Sequence, residues 1–495
     1  MSSASSRSLT IWRARASGER EGLGYLIYIV AIVAFAVVVP LLMLLWSWLV
    51  TPVVISALLS GGAPKSTTIV CVLLCAAGFF VGRLRGPAVR PPFLTFAFST
   101  SPLRRNLAFG GPVARAVGLV VAVVIFAGAI LSAAMWSTGH VEPVSGAAFV
   151  VASVASGLLV GSTWLLGQIF PRFSLAAGVA LACLGATSTI FGPIVPYLPW
   201  YWVANAYPVE GSVFSAFSLL LLAAGFMAFA VAQMEKLNRD GLLAQAQLWD
   251  TAQVFASTFD LESASAVYRA RPKRFRTVSA VRSYSSQWLR FVVRDALGAA
   301  RTPLRATTGA VLLAGAGAVI GLGPAPMPFW GGAAGLLAYL GVGPLSDGLR
   351  HAVAMSADLP LYGVSDRALV SYHAAFPAIG TAIFLGVGSV ITSTWGSGLF
   401  NLQLTATTAV LVLLTVAVRV CASVKGPMPV SLLAPVSTPM GDLGAIVRLL
   451  WLFDAVVLAA LGGAFAATAA WYPACVELVL VVLLIMWRWS KRRHG

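Results

Sequence analysis

The sequence predicts an all-α polytopic membrane protein with about twelve transmembrane helices in two pseudo-symmetric six-helix halves. Three observations predict it. Of 495 residues, 59% are hydrophobic and 10% charged, and the mean hydropathy is +0.89. Apolar stretches near the roughly 20 residues that span bilayer hydrocarbon recur from end to end. The basic residues fall on alternate connections between those stretches.

In chain order the crossings are 25–50, 66–82, 116–136, 146–166, 176–195, 213–231, 308–322, 329–344, 374–395, 404–424, 449–470 and 474–489. The second, seventh, eighth and twelfth are short, which tilt and local thinning of the bilayer accommodate. Arg7, Arg13, Arg15 and Arg20 precede the first crossing, and Arg83, Arg85, Arg90, Arg104, Arg105 and Arg115 follow the second. Arg172 follows the fourth, Lys236 through Arg305 the sixth, Arg350 and Arg367 the eighth, Lys425 and Arg448 the tenth, and Arg488, Lys491, Arg492 and Arg493 the twelfth. The odd connections carry only Lys65. Because cytoplasmic loops retain Lys and Arg, this parity puts both termini inside, in a multi-pass protein of the plasma membrane. The first apolar run is too long for a cleavable signal, and no small-residue cleavage site follows it.

A formal charge of +17 and a pI near 10.3 would suggest nucleic acid in a soluble protein. Here the cations are juxtamembrane, so the partners they imply are membrane lipids with anionic headgroups, and nucleic acid is excluded.

The interval 234–306 divides the crossings into a first permease-like half, 1–233, and a second, 307–495. Leu243, Leu248, Val254, Phe255 and Phe259 are spaced as on an amphipathic helix, and Arg269, Arg271, Lys273, Arg274 and Arg276 form a basic stretch broken by Pro272. Trp288, Leu289, Phe291, Val292 and Leu297, with Arg290, Arg294 and Asp295 between them, read as a helix lying on the membrane before the seventh crossing. Leu9, Ile11 and Trp12 among Arg13 and Arg15 repeat that arrangement before the first crossing. Both halves also carry a short polar turn between their second and third crossings. Pro102-Leu-Arg-Arg-Asn-Leu107 can be laid on Val364-Ser-Asp-Arg-Ala-Leu369, with Arg105 over Arg367 and Leu107 over Leu369. Parallel repeats need an even number of crossings, and six plus six satisfies that.

A six-crossing unit that opens with an interfacial helix, and has a short cytosolic helix with a Thr/Ser-Pro-x-x-Arg-like turn between crossings two and three, resembles the type-2 ABC exporter permease. With Leu433-Ala-Pro-Val-Ser-Thr-Pro-Met-Gly-Asp442 after crossing ten, the chain is similar to a double-length fused form from GC-rich Gram-positive bacteria. The resemblance covers nearly the whole chain by layout. It implies a transmembrane subunit without a cofactor of its own, served by two copies of an ABC ATP-binding subunit that hold ATP and Mg. It further implies that Pro102, Arg104, Arg105, Asp366 and Arg367 couple to that ATPase. The same residues would also serve simply to hold the short helices at the headgroups. After crossing five the family dips into the outer leaflet, and Pro196, Pro199, Trp200, Tyr201 and Trp202 stand there as an external gate or re-entrant segment. Aromatic rings at a membrane boundary are the plainer reading of the same residues. The second half offers only Ala470-Trp-Tyr-Pro473 at the matching place.

No energy-converting site is legible in the chain itself. Gly61-Gly-Ala-Pro-Lys-Ser-Thr67 has Pro64 and Leu59 where a phosphate-binding loop needs glycines. The chain is therefore not expected to be an enzyme. The intramembrane polar candidates for ion coupling are Asp454 and Glu477, both shallow in their crossings, Asp454 near Arg448; a helix–helix hydrogen bond or snorkelling is the simpler role for Asp454. Cys71 and Cys75 share a helix face but have no His or second Cys pair beside them, so packing outranks a soft-metal site. His140, His351, His373 and His494 are scattered, with no carboxylate or Cys partner at ligand spacing. Gly317-x-x-x-Gly321 reads as a helix-packing motif. The alternatives to an exporter subunit are an ion-gradient-driven secondary transporter, or a membrane enzyme acting on lipid-linked substrate.

Overall fold

A computed structural model describes residues 39–188, 199–257, 260–269, 275, 277–279, 286–322, 328–356, 363–396, 402–426, 428–429, 432, 437–438, 441–442, 444–468 and 471–494. The proposed interfacial helix around Leu9 to Arg15, Pro196, and most of the basic stretch 269–276 lie outside the described residues. The chain divides into two compact units, Met1–Val254 and Phe255–Gly495. The interval 234–306 is therefore split between them.

The first unit contains α1 (Val39–Leu49), α2 (Pro52–Leu59), α3 (Ala63–Leu84), α4 (Pro92–Thr100), α5 (Arg105–Ser137), α6 (Pro143–Ile169), α7 (Ser174–Ser188), α8 (Pro199–Asn205), α9 (Val213–Ala232) and most of α10 (Arg239–Ser257). Proline sits in the first turn of α2, α3, α4 and α6, where its missing N–H costs nothing and its fixed φ suits a helix start. The Ser212 hydroxyl caps α9 by accepting from the Ser215 N–H at 3.3 Å. The second unit contains α11 (Leu261–Ala266), α12 (Gln287–Ala300), α13 (Pro303–Leu322), α14 (Pro328–Val342), α15 (Asp347–Met355), α16 (Asp366–Gly396), α17 (Leu402–Val424), α18 (Gly444–Ala467) and α19 (Trp471–His494). Ser437–Thr438 pairs antiparallel with Gly441–Asp442, the one strand pairing among the described residues.

The chain is an all-α polytopic membrane protein. Among the described residues nine helices are long and apolar enough to cross a membrane: α3, α5, α6, α9, α13, α16, α17, α18 and α19. A tenth span is available if α1 and α2, bent by 68° at Thr51-Pro52, count as one. The stretches read as crossings five and eight fall on α7 and α14, of each of which 15 residues are described.

Within the first unit α6 is the hub, packing on α3, α5 and α9, while α7 packs on α3. Small residues let these backbones touch: a Cβ at Gly82 would lie 2.2 Å from the Trp164 carbonyl oxygen, and one at Gly167 2.5 Å from that of Phe79. Within the second unit α17 packs on α14, α16 and α19, α18 packs on α14, and α13 packs on α16. Gly317 and Gly321 of α13 do lie against α16, where added Cβ atoms would fall 2.0 Å from the Leu385 carbonyl oxygen and 1.9 Å from Thr392 Oγ1.

Candidate functional site

The turn 101–104 joins the nine-residue α4 to the 33-residue α5. At about 1.5 Å per residue α5 is about 50 Å long, against about 30 Å of hydrocarbon. Its first turns, with Arg105 and Arg115, thus extend beyond the apolar segment. Pro112 inside α5 cannot donate to the Ala108 carbonyl four residues back. The Arg90 guanidinium fills that gap, donating to Ala108 O from Nε at 3.0 Å and Nη2 at 2.8 Å, and also lies 5.0 Å from the Phe98 ring of α4. Arg239 of α10 stacks over Phe96, the other cation holding α4. Pro102 and Arg104 are exposed. Arg105 is half-buried and donates to the Leu237 carbonyl, which ties the turn to the link between α9 and α10.

Beside this corner an amide network closes the loop after α3. Gln168 Oε1 accepts from the Ala88 N–H at 3.0 Å, and Gln168 Nε2 donates to Gln245 Oε1 at 2.9 Å. Gln245 also accepts from the Gly86 N–H and donates to the Arg83 carbonyl, so α10 is locked to the end of α3.

Around the nine-residue helix of the second unit the polar groups are ions. The nine-residue α15 is held by Arg305, whose Nη2 donates to Asp347 Oδ1 at 2.9 Å. Gly348, the next residue, leaves room for Asp295 of α12; a Cβ there would lie 2.2 Å from Asp295 Oδ1. Asp295 in turn accepts from His373 Nδ1 of α16 at 2.7 Å, with both side chains buried and the Phe291 ring edge-on to the imidazole. Sequence reading gave His373 no carboxylate partner; the structure supplies one from 78 residues away. Asp366 is half-buried and Arg367 exposed at the start of the 31-residue α16.

Burial shifts the match between the two turns by one residue. Leu107 is 63% exposed whereas Leu369 is 5% exposed, so the overlay of Arg105 on Arg367 and Leu107 on Leu369 does not describe equivalent surroundings. Starting both long helices together, Arg105 on Asp366, places the buried pair Ala108 and Phe109 on the buried pair Leu369 and Val370. The two shared identities misled because the core-facing positions set the register, and neither arginine occupies one.

Between α7 and α9, α8 packs against α3 and α9. Pro199 begins it, and Trp200, Tyr201 and Trp202 are half-buried; the Trp200 carbonyl accepts from Thr68 Oγ1 at 3.2 Å. Tyr207 is the best anchored aromatic here, donating its hydroxyl to the Leu58 carbonyl at 2.9 Å and meeting the Phe149 ring edge-on at 5.4 Å.

Asp454 of α18 lies between Lys425 and Arg488, accepting from Lys425 Nζ at 2.7 Å and from Arg488 Nη2. Both cations lie over the Trp451 ring, and Arg488 also donates to the Cys421 carbonyl at 3.1 Å. Burial pushes the Lys425 ammonium below its ordinary pKa, and the bond to Asp454 opposes that. Arg448, the cation nearest in sequence, instead donates to the Leu432 carbonyl at 3.1 Å. Asp454 is thus a three-helix tie. Glu477 of α19 is 4% exposed, and neither of its oxygens has a hydrogen-bond partner. It stays near the start of α19, as read from the sequence, but is buried there rather than turned to a polar surface.

Cys71 and Cys75 are buried in an apolar cluster with Ala152, Ala155 and Leu219. Among the described residues no three His, Cys, Asp or Glu side chains gather to hold a metal ion. Sequence reasoning missed Arg419, buried in α17 with Nε donating to Ser346 Oγ at 2.8 Å; an arginine inside an apolar run was the available signal. For Gln168 and Gln245, 77 residues apart, there was none.

No family model, no curated protein and no solved structure matches this chain.

Proposed function

We propose that this chain is the membrane-spanning subunit of an ABC exporter, moving substrate across the plasma membrane with ATP hydrolysed on two copies of a separate ATP-binding subunit. One observation carries the reading. Each unit places a nine-residue helix between its second and third proposed crossings, followed by a helix of 33 or 31 residues that overruns the bilayer. Partner-driven movement of such a helix end reaches the membrane interior through one rigid element.

A repeat of helix packing supports twofold construction. Taking α1–α2 as the first crossing, α7 and α14 as spans, and the two units as six crossings each, the fourth touches the second, third and sixth in both. The second touches the fifth, and the first the third, in both. On this reading the cation-rich corners at α4 and α15 are cytoplasmic, as are both termini, and the partner docks on Pro102, Arg104 and Arg367. Arg105 and Asp366 position the helix starts behind them. The segment from α8 to Tyr207 then lies outside, as a cover over α3 and α9.

The test is co-purification. The chain, extracted from its native membrane, brings down an ATP-binding subunit, and Arg104→Glu with Arg367→Glu abolishes the association without lowering the melting temperature. Retained association in that double variant removes the docking assignment, and ATP hydrolysis by the isolated chain removes the reading altogether.

A further inference from the structure

We propose that Glu477 is a proton-binding site inside the membrane-embedded part of the second unit, a carboxyl group that carries a proton while α17, α18 and α19 are packed together and releases it when they separate. This goes beyond the exporter reading and stands whichever energy source drives the chain.

The placement carries it. Glu477 lies six residues into α19, about 9 Å along the axis from Trp471. The same helix face carries Ala474 and Val481, one turn to either side and both buried. The face is thus an inward, apolar stripe interrupted by one carboxyl group. Opposite it α18 presents Gly462: a Cβ there would sit 3.2 Å from each of the two Glu477 oxygens and 3.4 Å from Leu414 Cδ1 of α17. The oxygens face a bare glycine, with a leucine methyl of α17 beside the same spot. Neither oxygen has a hydrogen-bond donor, although 4% of the residue is exposed.

An ion without a counter-ion or donor in such a place is costly, and a carboxyl group meets that cost by holding a proton or a cation. A hard metal cation asks for six or more oxygen ligands, and no triad of ligating side chains exists among the described residues. A proton asks for one O–H bond. The other charged groups on the elements packed here lie far along their helices. On α19, Arg488 is eleven residues away, about 16 Å; on α18, Asp454 is eight residues from Gly462, about 12 Å; on α17, Arg419 and Cys421 are five and seven residues beyond Leu414. Cys475, the nearest titratable neighbour on α19 itself, is exposed. Arg488 and Asp454 already bind each other. When the three helices part and water enters, the O–H bond breaks, its electron pair stays on the carboxylate, and the proton leaves to that water.

Infrared difference spectroscopy of the full chain in lipid nanodiscs, titrated across neutral pH, tests this. The carbonyl stretch of a protonated carboxyl group is expected in the native chain, absent from Glu477→Gln and shifted in frequency in Glu477→Asp. Glu210→Gln, which removes an exposed carboxylate of the first unit, leaves the band in place. Superimposable spectra from the native chain and Glu477→Gln overturn the proposal; should that variant fail to fold, an unshifted band in Glu477→Asp does so. Binding of an ATPase partner is read separately, so failure here leaves the exporter reading standing.

Discussion

Where α3, α6 and α10 meet in the first unit, the polar groups at their shared end are amides: Gln168 and Gln245 bond each other and the main chain at Gly86, Ala88 and Arg83. Where α17, α18 and α19 meet in the second, the polar groups are ions, with Asp454 between Lys425 and Arg488. The two units thus close a polar corner by different chemistry. An amide can be satisfied by any main-chain group within reach, so its network degrades bond by bond. A buried ion pair leans on opposite charge as well as on hydrogen bonds, so removing one member leaves an uncompensated charge.

The largest effect that would break this comparison comes from Asp454→Leu. Leaving Lys425 and Arg488 together without their carboxylate is expected to destabilise the second unit by about 3–5 kcal/mol, read as a lowered melting temperature in detergent. Adding Lys425→Met and Arg488→Met recovers most of the loss, because an apolar triad has no charge to strand. Overpacking comes next and sharpens the likeness. Gly388→Val places side-chain atoms on the Ala314 carbonyl, where a Cβ would already lie 1.9 Å from the oxygen, and Gly82→Val does the same at Trp164. Both should cost about 1–3 kcal/mol, and a large difference between them would mean that the units do not share backbone-to-backbone packing. Gln168→Leu, which leaves the Ala88 N–H and the Gln245 carbonyl group short of a partner, should cost about 1–3 kcal/mol by the same melting assay, with no abrupt loss of folding. A double-mutant cycle is the smallest and most specific test. Arg90→Ala costs less in Pro112→Ala than in the native chain, because the restored N–H at 112 serves the Ala108 carbonyl while the contact with Phe98 is lost in both; the coupling expected is about 1 kcal/mol.

Hydropathy made the apolar interior of each span legible and left its ends obscure. The helix of the third crossing, read from Ala116, begins at Arg105, and that of the ninth, read from Ala374, begins at Asp366. Polar helix turns outside the hydrocarbon carry no apolar period to announce them. The amphipathic helices of the interval were legible because their spacing follows the helix repeat, and α10 and α12 occupy them. The division at Val254 was not, since which unit a surface helix joins is decided by Gln245 and Trp249 on one side and Asp295 on the other, through contacts distant in sequence. Site chemistry followed the same division. Asp454 and Glu477 were visible as carboxyl groups in apolar runs, but their opposite fates, one doubly paired and one alone, depend on what α17 and its neighbours bring against them.

The Arg90 bond to Ala108 also bears on movement. A peptide N–H is fixed to the helix it serves, whereas a guanidinium sits on a jointed stem and can follow its acceptor through an arc. The tip of α5 bearing Arg105 is thus moored by a tether rather than welded to the rod behind it.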